Sequence, residues 1–218
     1  MVKFCNVIRR LGAKDNDIKY FSHLLPLDVK TVVEPFGGSF AVIKHFYKDC
    51  NKYNFHINDT DETLFYVYKH HRVVLDLYKD LCETYKNEYK DEYKGKEFIK
   101  YIKELHVNQH IKYYIFNNYV IRGNMFKTIK NHDNYNPIEL NILQHAFFTD
   151  LDYSLIFRMY HDDENAFLFL YPPYFISDNS SYASQVRETD MTQIIVDIYK
   201  FMKTCKCKVM LVINNLNI

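Results

Sequence analysis

The string Glu34-Pro35-Phe36-Gly37-Gly38-Ser39 follows a short apolar run, Thr31 to Val33, and precedes a helical pattern from Ala41 to Tyr47. A small-residue turn between strand and helix lets a ligand approach the backbone closely and rest on a helix N-terminus. Towards the other end, Tyr171-Pro172-Pro173-Tyr174 follows the strand-like run Ala166-Phe167-Leu168-Phe169-Leu170. Two prolines make a stiff, donor-free turn at that strand's C-terminal edge. Open α/β sheets bind ligands outside the carboxyl ends of their strands, so two such loops predict one cleft.

The stretches between fit that frame. A helical pattern around Ile18, Phe21, Leu24 and Leu25 stops at Pro26. Tyr53–Ile57 alternates apolar and polar and reads as a second strand. Asn58-Asp59-Thr60-Asp61 then caps a helix through Leu64, Phe65, Val67 and Tyr68. Strand, turn, helix, strand, acidic turn and helix open a doubly wound α/β fold. Further on, a helix is expected from Pro137 to about Phe147, and Asp150-Leu151-Asp152-Tyr153 is a polar turn before a helix over Ser154–Tyr160. Residues 176–189 read as a mobile loop, Ile194–Met202 as an amphipathic helix and Val209–Ile213 as a final buried strand.

Residues 72–104 are charged and helical, with Tyr78, Cys82, Tyr85, Tyr89 and Tyr93 at three- and four-residue spacing. That stripe predicts an amphipathic helix on a core, broken at Gly95. Between residues 100 and 132, Lys100, Lys103, Lys112, Arg122, Lys127 and Lys130 face the single acid Glu104, with Tyr113, Tyr114, Phe116, Tyr119 and Phe126 interleaved. Basic groups among aromatics suit phosphates and unstacked bases, although a solvated helical face has the same composition.

The whole chain balances 28 Lys and Arg against 27 Asp and Glu, so nucleic-acid binding needs such a local patch. No run of about 18 apolar residues and no apolar leader is found, and the five cysteines are scattered. An intracellular, reducing setting, cytoplasm or nucleus, with no membrane partner is therefore expected. Twenty tyrosines, no tryptophan and abundant Lys and Asn resemble the product of an AT-rich genome, as of a virus.

These elements, in this order, resemble the Dam-like (alpha-type) DNA N6-adenine methyltransferases over nearly the whole chain. Arg10-Leu11-Gly12-Ala13-Lys14 looks like the family's Trp-Ala-Gly-Gly-Lys turn, and Val33 to Val42 is similar to its cofactor loop. Asn58-Asp59-Thr60-Asp61 looks like the acidic turn after its second strand. Ala146-Phe147-Phe148, Asp152-Tyr153 and Phe169 to Tyr174 follow its run into Asp-Pro-Pro-Tyr, and Val209 to Asn215 resembles its fifth strand. The resemblance implies an α/β, Rossmann-like S-adenosylmethionine-dependent methyltransferase sheet with a helical insertion. Residues 1–69 and 138–218 would form the core and residues 70–137 a DNA-recognition insertion.

It also implies roles. S-adenosylmethionine would lie across the first loop, held by Lys14, Glu34, Phe36, Gly38, Asp59 and Asp152, with Asp59 on the ribose hydroxyls. A flipped adenine would stack on Tyr174, and the loop Tyr171, Pro172, Pro173 and Tyr174 would be catalytic. Arg122, Lys127 and Lys130 would contact DNA, or RNA; no metal is needed. Three departures bear on activity. Tyr171 replaces the motif's Asp, and a neutral phenol is a weaker acceptor. Phe40 replaces a loop glycine, where a benzyl group would block the cofactor. The chain stops after the fifth strand without the family's closing hairpin, leaving a strand edge for a homo- or hetero-dimer partner. Enzyme and pseudoenzyme both stay open, the second as a nucleic-acid-binding or scaffold subunit of a hetero-oligomer.

Other chemistry finds less support. His106 and His110 are four apart, a metal-like spacing on a helix, but Val107 stands where a zincin has Glu. His70-His71 reads as exposed helix, and Cys205-Lys206-Cys207 lacks a second cysteine pair.

Overall fold

A computed structural model of the protein describes Val7 and residues 17–47, 52–89, 95–121, 124–125, 135–172 and 188–213. In chain order its elements are α1 (Ile18–Phe21), a 3-10 turn (Ser22–Leu24), β1 (Thr31–Glu34), α2 (Ala41–Phe46), β2 (Asn54–Asn58) and α3 (Glu62–Lys69). There follow α4 (His71–Tyr89), α5 (Gly95–Glu104), α6 (Gln109–Tyr119), β3 (Val120–Ile121), β4 (Asn124–Met125) and α7 (Pro137–His145). The chain continues through β5 (Phe147–Thr149), α8 (Tyr153–Tyr160), β6 (Ala166–Leu170), α9 (Glu188–Thr204) and β7 (Lys208–Leu211). They form two compact units, Ala13–Phe65 with His145–Ile218 and Met1–Gly12 with Tyr66–Gln144.

The first unit is an α/β sandwich of the Rossmann-like, methyltransferase type. Among the described residues it has five strands, all parallel, in the order β5-β2-β1-β6-β7. Central parallel strands are covered on both faces, which is why β6 is an unbroken apolar run with all five residues buried. The faces alternate with the period of two. Val33, Ala166, Leu168 and Leu170 meet Ile156 and Phe157 of α8 and Ile194, Ile198 and Phe201 of α9. The rings of Phe157 and Phe201 stack there at 4.3 Å. On the opposite face Phe21 stacks on Phe169 at 5.4 Å, and Phe46 of α2 lies 6.0 Å from Phe167. Burying each such side chain contributes about 2 kcal/mol.

Two expectations for this unit are corrected. The helix from Pro137 stops at His145, and Phe147–Thr149 is a strand paired with β2, His56 opposite Phe147. A Phe-Phe-Thr triplet favours a strand but is too short to show alternation. The last strand is half-buried, because it ends the strand order and pairs with β6 alone among the described residues. The loop expected at 176–189 lies outside the described residues, but for the start of α9.

The second unit is helical with a core of its own. Val74, Tyr78, Cys82 and Tyr85 form the buried stripe of α4. Tyr85 meets Phe98 at 5.2 Å and Tyr101 at 5.4 Å, both on α5, and Tyr78 meets Tyr114 of α6 edge-on at 5.7 Å. The charged segment is therefore two helices, with Gly95 the first residue of the second. The side chain of Tyr89, and Tyr93, lie outside what is described. His71 is buried, not exposed, and its Nδ1 is 3.0 Å from the Tyr68 carbonyl. Buried Glu139 of α7 accepts from the Val7 amide, and β3 and β4 form a two-residue antiparallel ladder. Tyr114 is buried core, so it is no stacking platform for a base. Among the described residues no helix is long and apolar enough to cross a membrane.

Candidate functional site

The strand order fixes where a ligand can enter. From β1 the chain steps to β2 and β5 on one side, then returns to β6 on the other. Connections thus diverge between β1 and β6, and the space above their carboxyl ends is the switch-point crevice of an open α/β sheet. The two strands are parallel with Val33 opposite Leu168. The turn from Pro35 to Phe40 and the corner Tyr171-Pro172 therefore leave the same edge from adjacent strands. Asp59 follows β2 at that edge, and Asp152 follows β5.

The first turn is shaped by its two glycines. Gly37 donates its amide to the Asn58 carbonyl at 2.7 Å. A Cβ on Gly37 would lie 2.5 Å from Ile57 Cγ2 and 3.0 Å from the Asn58 oxygen, so only glycine fits. Gly38 has φ +48° and open space where a Cβ would stand. Its amide donates to Asp59 Oδ2 at 2.9 Å, and Asp59 Oδ1 accepts from the Asp61 amide at 3.0 Å. Asp61 Oδ1 accepts the Thr63 and Leu64 amides, both at 3.1 Å, which caps α3. Buried Glu34 turns Oε1 to the Ile43 amide at 2.8 Å. It serves an otherwise orphaned donor of α2, whose N-cap, Phe40, makes no side-chain cap bond.

Phe40 itself is left-handed, φ 43° and ψ 46°. An L-residue there costs about 1–2 kcal/mol. Its ring has no solvent exposure, with Lys44 Nζ 5.5 Å from the centroid. The ring thus stands apart from the open space above Gly38; Phe40 burdens the loop by backbone strain.

Below the edge lies a polar cluster that sequence reasoning missed. Asn58, fully buried, uses all four side-chain hydrogen-bonding positions. Nδ2 donates to the Pro35 carbonyl at 3.0 Å and the Leu151 carbonyl at 2.9 Å. Oδ1 accepts from Thr149 Oγ1 at 2.7 Å and the Leu151 amide at 2.9 Å. Behind Thr149 stands His56, Nε2 at 2.7 Å, and Tyr160 Oη is 2.8 Å from His56 Nδ1. Burial pushes the His56 imidazole down to about 4 and holds it neutral. Burial, then the charge of Asp163, pushes the Tyr160 phenol up. The available signal was that His56 and Asn58 flank Ile57, polar residues beside apolar ones at the end of a strand.

The chain is similar to a methyltransferase. The Type II methyltransferase M.CviBI of Paramecium bursaria Chlorella virus NC1A is 25% identical to it over 222 residues, 95% of this chain and 82% of the relative. No protein-family model matches the chain. This methyltransferase likeness runs through both corners described above, since it spans nearly the whole chain.

The remaining expected site residues divide by place. Phe36 is half-buried, its ring 5.7 Å from that of Tyr153, whose hydroxyl donates to Asp197 Oδ2 at 3.0 Å. Asp152 is exposed and caps α8, Oδ1 accepting the Ser154 amide at 2.9 Å. Tyr171 is half-buried and Pro172 buried. Lys14, Pro173, Tyr174, Arg122, Lys127 and Lys130 lie outside the described residues. In the helical unit α6 begins at Gln109, so His106 and His110 do not share a helix face. His110 stacks on Tyr66 at 4.3 Å. Among the described residues no group of three or more His, Cys, Asp or Glu is placed to hold a metal. Cys205 and Cys207 are free thiols, and burial, with Cys205 beside it, pushes Cys207 up to about 12.

Proposed function

We propose that this protein binds S-adenosylmethionine above the carboxyl ends of β1 and β6, and that it is a DNA N6-adenine methyltransferase by descent. The supporting observation is that a glycine turn and the Tyr171-Pro172 corner leave adjacent parallel strands at one edge. The likeness to a Type II methyltransferase points the same way. The residues present fit the methyl donor. Gly38 leaves open space where any other residue carries a Cβ, and the Asp59 carboxylate stands beside it.

S-adenosylmethionine, when bound, supplies an electrophilic methyl group. Asp59, steadied by the Gly38 and Asp61 amides, would meet the ribose hydroxyls. Lys14, Glu34 and Phe36 would hold the methionine end, and Asp152 the adenine. The target is an adenine flipped out of its helix and stacked on Tyr174. Carbonyls at Pro172 and Pro173 accept from its exocyclic amine, which frees the nitrogen lone pair. Arg122, Lys127 and Lys130 would contact the phosphates or bases of the DNA.

A second reading rests on Tyr171 and Phe40. A phenol accepts more weakly than the family's carboxylate, and that interaction belongs to the transition state. The protein then binds nucleic acid, or supports an active partner, without transferring methyl. Calorimetric titration of S-adenosylmethionine, with transfer of labelled methyl to adenine-containing DNA, separates the two. Binding with transfer supports the enzyme, and binding without transfer supports the second reading. Absence of binding refutes the methyl-donor site altogether.

A further inference from the structure

Tyr160, His56, Thr149 and Asn58 are assigned no contact with a ligand, yet they form one hydrogen-bonded chain. Its proton directions can be read from one end. Asn58 meets the Leu151 amide with Oδ1, and the carbonyls of Pro35 and Leu151 with Nδ2. Backbone amides only donate and carbonyls only accept, so the Asn58 side chain has one admissible orientation. Thr149 must then give its hydroxyl proton to Asn58 Oδ1 and receive one from His56 Nε2. That leaves His56 Nδ1 as acceptor of the Tyr160 proton. Each member fixes the next, and a neutral imidazole suits the middle place.

The chain ends where the candidate site begins. Asn58 grips Pro35 through its side chain and Gly37 through its carbonyl, so it holds the loop after β1 at two points. The same side chain holds both backbone polar groups of Leu151, in the turn after β5. Two turns at the sheet's edge thus converge on one amide at the end of β2, although Pro35 and Leu151 lie 116 positions apart.

We infer that Asn58 is the positioning residue of the methyl-donor site, oriented by Thr149, His56 and Tyr160. It acts by holding the Pro35–Gly38 loop and the Leu151–Asp152 turn at a fixed separation. This inference rests on the methyl-donor reading, and its test keeps the two apart. Thr149→Val removes the hydroxyl with little change of shape, and Thr149→Ser retains it. S-adenosylmethionine is titrated calorimetrically into both variants and the wild type, and amide hydrogen exchange is followed at Gly37 and Leu151. The valine variant is expected to bind about tenfold more weakly and to exchange about tenfold faster at both amides, the equivalent of one buried hydrogen bond. The serine variant restores both values. Wild-type affinity and exchange in the valine variant would overturn the inference while leaving the methyl-donor reading intact. If the wild type binds no methyl donor, that reading fails, and exchange decides the positioning role: faster rates rescued by serine support it, unchanged rates overturn it.

Discussion

His56 predicts an acid sensitivity that can be isolated. The side chain is 1% exposed on β2, between Tyr160, Thr149 and the ring of Phe147 at 4.7 Å. Burial lowers it from 6.5 in the unfolded chain to about 4. Between those values the unfolded state carries a proton that the folded state does not. Its contribution to stability is therefore fully present above pH 6.5 and is lost as pH falls towards 4. Each unit is worth 1.36 kcal/mol, so the loss is about 3 kcal/mol at most. That is a large share of a typical domain's 5–15 kcal/mol. The perturbation is His56→Gln, which keeps one donor and one acceptor but cannot titrate. Urea unfolding is measured for both proteins at steps from pH 7.5 to pH 4. Carboxylates titrate alike in both, as does His71, also lowered by burial, so they cancel in the difference. The wild type is expected to lose about 3 kcal/mol more than the variant. Parallel stability curves, or an imidazole that titrates above pH 6 by NMR, would refute the reasoning.

Other substitutions follow from the loop. Gly37→Ala forces a Cβ against Ile57 and the Asn58 carbonyl, and should cost about 1–3 kcal/mol, read as a lower melting temperature. Gly38→Ala meets no atom but must hold φ +48°, so a cost of about 1 kcal/mol is expected, with weaker S-adenosylmethionine binding by calorimetry. Phe40→Gly relieves strain of about 1–2 kcal/mol but empties a fully buried ring site worth about 3–5 kcal/mol. Circular dichroism should therefore show a net loss of stability. Tyr171→Asp restores a carboxylate acceptor and should raise labelled-methyl transfer at least about tenfold, given what single transition-state contacts are worth.

What was legible in the sequence divides by the range of the interactions. Gly38 announces a tight turn because its reason is local, a left-handed backbone between a strand and a helix, whereas Gly37 is required by Ile57 and Asn58 of β2. The strand β6 announced itself because burial on both faces demands an unbroken apolar run. The string Asn58 to Asp61 predicts a cap before α3, and Asp61 supplies it. β5 was missed because three residues carry no period, and its strand state comes from pairing with β2 far earlier in the chain. The size of Phe40 predicts a blocked cofactor loop, whereas the structure makes its left-handed backbone the issue.

Asn58 shows the deeper limit. Within its own string it looks like one more capping residue, yet only Asp61 of that string caps α3. Its work is done with Pro35, Thr149 and Leu151, none of them a sequence neighbour. A buried amide is tolerable only when every position is satisfied, and its strand neighbour Ile57 offers no side-chain partner. An asparagine in such a strand therefore demands partners from other turns, although it does not say which. Its partners come from the loop after β1 and the turn after β5 because the sheet order sets those strands on either side of β2. The polar residue that looks least at home in its strand is thus the one that ties the site's edges together.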